Sequence, residues 1–231
     1  SRLREFTPQN LANTAWAFAT AGVDAPRLFA AIADTALSRL REFTSQDAAL
    51  SRLGEFNPQG LSMTAWAFAQ AGVEAHRLFA GIADVAQSRL DEFNAQELAN
   101  TAWAFVTAGM EAPRLFEAIA DAALSRLGEF NPQGLSMTAW AFAQAGVEAH
   151  RLFAGIADVA QSRLDEFNAN RSSRLANTAW AFATAGVFNP QGLASAPRLF
   201  NAIADAARPR LREFNPQELA NTAWAFATAG V

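Results

Sequence analysis

The sequence predicts an all-α fold, an α-solenoid of tandem helix-turn-helix repeats of about 37 residues, present as five and a half units. Three observations predict it. A twelve-residue block, LANTAWAFATAG at Leu11–Gly22, returns in near-identical form at Leu61–Gly72, Leu98–Gly109, Leu135–Gly146, Leu175–Gly186 and Leu219–Gly230. All six tryptophans, Trp16, Trp66, Trp103, Trp140, Trp180 and Trp224, hold one position of that block, at separations of 50, 37, 37, 40 and 44 residues. Asp47–Ala95 and Asp121–Ala169 are identical over 49 residues at an offset of 74, which is two periods. Stacked repeats bury their apolar faces only against one another, so a fixed period decides the architecture. The duplication also means that likeness between units is not by itself evidence of function.

Each unit opens on a phrase such as Phe56-Asn57-Pro58-Gln59-Gly60-Leu61. Asn57 can cap the free N–H groups of a helix start, and Pro58 at the first helical position loses nothing by lacking its own. Phe56 and Leu61 flank the cap at the spacing of a hydrophobic staple, and Glu97, three residues after Asn94, completes a capping box in the third unit. Gly72 and its equivalents end the helix, because glycine takes the left-handed conformation without steric cost. The first helices therefore fall at about 8–21, 58–71, 95–108, 132–145, 173–185 and 216–229.

Within the first of these, Leu11, Ala15, Phe18 and Gly22 share one face, and Ala12, Trp16, Ala19 and Val23 an adjacent one. So wide an apolar arc predicts a helix sandwiched between neighbours, with the tryptophans in an internal column. A narrow outward stripe remains: Asn13, Ala17 and Thr20, or Met63, Ala67 and Gln70 in the second unit. The second helix starts near Asp24-Ala25-Pro26-Arg27 and carries Leu28, Ile32, Ala36, Leu40 and Phe43 on its buried side. Arg39 and Glu42 stand three apart, a pairing distance on a helix, and recur as Arg52/Glu55, Arg89/Glu92, Arg126/Glu129, Arg163/Glu166 and Arg210/Glu213. That column reads as self-cancelling charge on a solvated face.

Insertions at 44–56, 170–173 and 188–194 interrupt the period. Ser1 falls inside a repeat tail and Val231 closes a block that lacks its second helix, so 1–231 reads as one solenoid cut from a longer array. The chain has no Cys, Lys or Tyr, and its net charge is −4. Disulfides, thiolate metal sites and cysteine catalysis are thereby excluded, and the general basic excess of a strong polyanion binder is missing. No apolar run reaches the roughly 20 residues of a membrane span. His76 and His150, the only histidines, are copies of one residue at a helix start and have no second ligand at metal-binding spacing. With no nucleophile, matched acid and base, metal set or phosphate loop, the chain reads as non-catalytic, without cofactor or small-molecule substrate.

Two sets of residues are candidate binding surfaces. The variable position of the outward stripe holds Asn13, Met63, Asn100, Met137, Asn177 and Asn221. Asn hydrogen-bonds base edges or backbone amides, and Met offers an adaptable apolar contact. The second set is the row Arg27, Arg77, Arg114, Arg151 and Arg198 at the starts of the second helices. A cation there opposes the helix dipole by about 0.3–1 kcal/mol and asks for a compensating anion. Asp24, Glu74, Glu111 and Glu148, three residues earlier, predict local pairing for four of them, while Arg198 has Ser195 at that place.

The Asn13-Thr14-Ala15-Trp16-Ala17-Phe18-Ala19-Thr20-Ala21-Gly22 block resembles the octotricopeptide-type helical repeats, relatives in style of pentatricopeptide repeats. The resemblance covers essentially the whole chain. It implies an α-solenoid in a plastid or mitochondrion, commonly one that binds organellar RNA. Thr20 or Gln70 stands where such repeats often carry a basic residue, and the units are nearly uniform, which suits only a monotonous RNA.

Two functions follow as expectations. The first is a scaffold holding other protein subunits in a large organellar assembly such as a ribosome, respiratory complex or photosystem. The second is an RNA-binding solenoid in RNA processing, stability or translation, with the Asn/Met stripe on bases and the Arg row on phosphates. The acidic balance and the placing of Trp and Phe on buried faces favour the scaffold. The insertion at 188–194 carries apolar Phe188 and Leu193, which gain little in a solvated loop, so Phe188–Arg198 is expected to contact a protein.

Overall fold

A computed structural model of the chain describes residues 2–41, 56–164, 166, 172–187 and 196–230. Among these residues there are eleven α-helices, a few 3₁₀ turns and no strand. The chain divides into two compact units, Ser1–Ile119 and Ala120–Val231. The first holds α1 (Pro8–Thr20), α2 (Pro26–Arg41), α3 (Pro58–Gln70), α4 (His76–Gln87) and α5 (Ala95–Thr107), and the boundary falls within α6 (Pro113–Leu124). The second holds α7 (Pro132–Ala145), α8 (His150–Ser162), α9 (Ser172–Thr184), α10 (Ala196–Ala207) and α11 (Pro216–Ala229). In the first unit α1 packs on α3 and α3 on α5, with α2 on α4; in the second, α7 packs on α9 and α9 on α11, with α8 on α10. This stacking of helical hairpins, neighbour on neighbour, is the α-solenoid arrangement.

Local chemistry sets the helix limits. The Asn57 side chain accepts from the Gly60 N–H at 2.7 Å, and Thr7, Asn94, Asn131 and Asn215 cap their helices in the same way. Asn94 and Glu97 form both halves of a capping box, repeated at Asn215 and Glu218. At the other end Gly72 has φ +62°, so the Val73 N–H reaches back to the Phe68 carbonyl and the Gly72 N–H to that of Ala69, each at 3.1 Å. These paired bonds satisfy carbonyls that the helix end would otherwise leave unpartnered.

In each unit the core lies between the row of first helices and the row of second helices. Phenylalanines of the second helices meet those of the following first helices edge to face: Phe29 with Phe68, Phe79 with Phe105, and Phe153 with Phe182, all at 5.1 Å between centroids. Each pair adds about 0.5–1.5 kcal/mol beyond its buried area.

The alanines of the expected outward stripe behave otherwise. Ala67, Ala104, Ala141 and Ala181 are fully buried, because each lies where the small side chain permits close approach of helices. Ala17 alone of the series is exposed; Ala225, its equivalent in α11, is fully buried like the rest.

Candidate functional site

Burial redraws the accessible face of the first helices. In α3 it consists of Gln59, Met63, Trp66 and Gln70, at intervals of four, three and four residues, one side of a 3.6-residue helix. The same face recurs as Gln96, Asn100, Trp103 and Thr107 in α5, and as Gln133, Met137, Trp140 and Gln144 in α7. The tryptophans are therefore not an internal column. Trp66, Trp103, Trp140 and Trp180 are half-buried, and Trp16 and Trp224 are 44% and 47% exposed. An indole is too large for the alanine-lined contact between first helices, so it lies along the outside of that seam. There it meets the next indole: Trp66 and Trp103 are 6.0 Å apart and inclined by 30°, and Trp180 and Trp224 6.4 Å apart and inclined by 32°. The aromatic platform that the sequence placed on buried faces is accessible after all.

Beside each Trp sits the variable residue. Asn13 and Asn177 are exposed, while Met63, Asn100, Met137 and Asn221 are half-exposed. Gln9 donates to Asn13 at 3.0 Å, Gln96 to Asn100 at 2.8 Å and Gln217 to Asn221 at 2.8 Å, each across one helical turn. The glutamines, and the tryptophans themselves, are the residues that sequence reasoning left out of the surface. Their signal was the four-three-four spacing from Gln59 to Gln70.

Arg27, Arg77, Arg114, Arg151 and Arg198 are all exposed. The expected pairing with Asp24, Glu74, Glu111 and Glu148 is not formed: none of the five has an ion-pair partner among the described residues. At the tight turn each acid precedes the helix while its Arg lies within the first turn, and both extend into solvent. Phe188 and Leu193 lie outside the described residues, as do residues 44–55 and 170–171 of the other insertions.

The Arg/Glu column is more than a solvated face. Arg89, 8% exposed, is held by Glu92 at 2.7 Å and donates through Nη1 to the Phe56 carbonyl at 2.9 Å. Arg163 repeats the arrangement, bonding Glu166 at 2.5 Å and the Phe130 carbonyl at 2.8 Å. The guanidinium thus ties the entry of one first helix to the end of the following second helix. The hydrogen bond from Arg89 holds the Glu92 carboxyl below its ordinary value and raises Arg89 above its own, and Arg163 and Glu166 do the same.

Open clefts of about 290 and 320 Å³ lie at the helix-turn ends, the first beside Glu148 and His150, the second beside Asp24 and Gln70. Among the described residues no three of His, Cys, Asp and Glu gather as metal ligands, and no helix is long and apolar enough to cross a membrane.

The model of the RNA-editing substrate-binding complex 6 protein family matches residues 48–228. The chain belongs to that family. The family span takes in the stripe from Gln59 to Trp224 and four of the five arginines, and leaves out Asn13, Trp16 and Arg27. No curated protein matches the chain.

Proposed function

We propose that the chain is a non-catalytic helical-repeat scaffold that holds other proteins within an organellar RNA-editing substrate-binding assembly. The family match carries the reading, because the family is described as part of a substrate-binding complex. The repeated uncharged face of Trp, amide and Met residues supports it, since Trp and Met are enriched at protein interfaces and charge is depleted at their cores. The match favours an RNA-editing assembly and gives no support to a ribosome, respiratory complex or photosystem. RNA-editing complexes of this kind are mitochondrial, so the mitochondrion is the organelle we infer. The octotricopeptide likeness stays part of the proposal, carried by the Asn-Thr-Ala-Trp block, as does a protein contact at Phe188–Arg198.

A second reading is direct RNA contact, favoured by the five exposed arginines without ion-pair partners among the described residues. Purification of the tagged full chain from mitochondria, with and without nuclease, separates the two. A scaffold retains RNA-editing proteins after nuclease treatment. Retention that vanishes with nuclease favours the RNA reading, and retrieval of no such protein contradicts both.

A further inference from the structure

We infer that the tryptophan-amide stripe is a docking surface for a proline-rich segment of a partner protein in the polyproline II conformation. The inference rests on the scaffold reading and names the chemistry of its partner.

Asn13, Asn100 and Asn221 each accept, at Oδ1, the bond from the Gln four residues earlier. With that oxygen engaged, the group left for a ligand is Nδ2, with its two N–H donors. No indole N–H has a partner among the described residues, and none is a fully buried unpartnered atom, so these donors remain available to a ligand. The Asn column therefore offers donors, beside aromatic surface and without charge. Its complement is neutral and turns acceptors toward that column.

A polyproline II strand meets those terms. Its carbonyls have no internal partner, its prolines have no N–H to leave unsatisfied, and its rings pack flat on indoles. Met63 and Met137, standing at the Asn position, give the same rings a soft apolar contact. The register agrees as well. Three polyproline II residues rise roughly 9 Å and return to the same side, and packed helices stand about 8–10 Å apart. One turn of ligand spans one repeat.

Single-stranded RNA complements the stripe less well. A base inserted between two rings needs about 7 Å, two contact distances, whereas the indoles stand 6.0 and 6.4 Å apart. The stripe has no cation for phosphate, and the chain carries a net charge of −4.

Each unit carries three of the six tryptophans on its stripe and there is no Tyr, so intrinsic emission reports occupancy of that face. The full chain is titrated with decaproline, with a Gly-Ser peptide of equal length and with oligouridine. The expected result is a saturable blue shift with decaproline alone, little altered by salt. Asn100→Asp keeps an acceptor for Gln96 but turns the outward donors into a carboxylate; it should weaken binding roughly tenfold, the loss of one such bond, with helical circular dichroism unchanged. Trp103→Phe should weaken it as well, while conserving the packing. A response to the Gly-Ser peptide equal to that for decaproline overturns the inference. So does an absent response to decaproline, or a salt-sensitive response to oligouridine alone. If decaproline fails while the tagged chain still retrieves RNA-editing proteins after nuclease, the ligand class is wrong and the scaffold stands. If retrieval fails too, the scaffold falls with it.

Discussion

Arg89 shows how much one side chain contributes and how little of that is written locally. Its i,i+3 pairing with Glu92 is legible in the sequence, but its second partner, the Phe56 carbonyl, lies 33 residues away. A spacing rule along one helix says nothing of a contact between units. Arg89→Ala leaves that carbonyl unpartnered in a buried place and should cost about 1.5–3 kcal/mol in chemical denaturation. Arg163→Ala should cost less, since its side chain is 25% exposed against 10% for Arg89. The clamp also sets a pH dependence. Glu92 has a folded value below the ordinary 4.5, so its contribution is complete above that value and is lost as pH falls through the depressed one. Acid unfolding followed by circular dichroism should be less steep in Arg89→Ala, and an unchanged profile would contradict the clamp.

At the scale of the helix, caps and stops were legible because they are local. Asn57 needs only Gly60, and Gly72 needs only its own φ of +62°. Nothing lies within 4 Å of where a Cβ on Gly72 would sit, so any loss on substitution is conformational. Gly72→Ala should destabilise by about 1–2 kcal/mol and Gly72→Asn by less, because Asn tolerates the left-handed region. Equal losses in thermal or urea unfolding would point to packing instead. Which side of the helix faces out was less legible. Leu, Ala, Phe and Trp all read as apolar, and periodicity alone does not tell an alanine that permits close approach from an indole too large to enter the same seam. Ala67 went inside and Trp66 stayed at the surface for that reason of size.

For the whole molecule, the 37-residue period was enough for the fold class, since repeats can bury their apolar faces only by stacking. Function was less legible, because duplicated units look alike whether or not they bind anything. The family match directs the reading toward an RNA-editing assembly, and the stripe supplies a surface on which a protein could dock. The most direct test of that account is tryptophan oxidation footprinting of the free chain and of the nuclease-treated assembly purified from mitochondria. Trp66, Trp103 and Trp180 should be oxidised readily in the free chain and protected in the nuclease-treated assembly. Equal oxidation in both, or protection that disappears when RNA is digested, would contradict it.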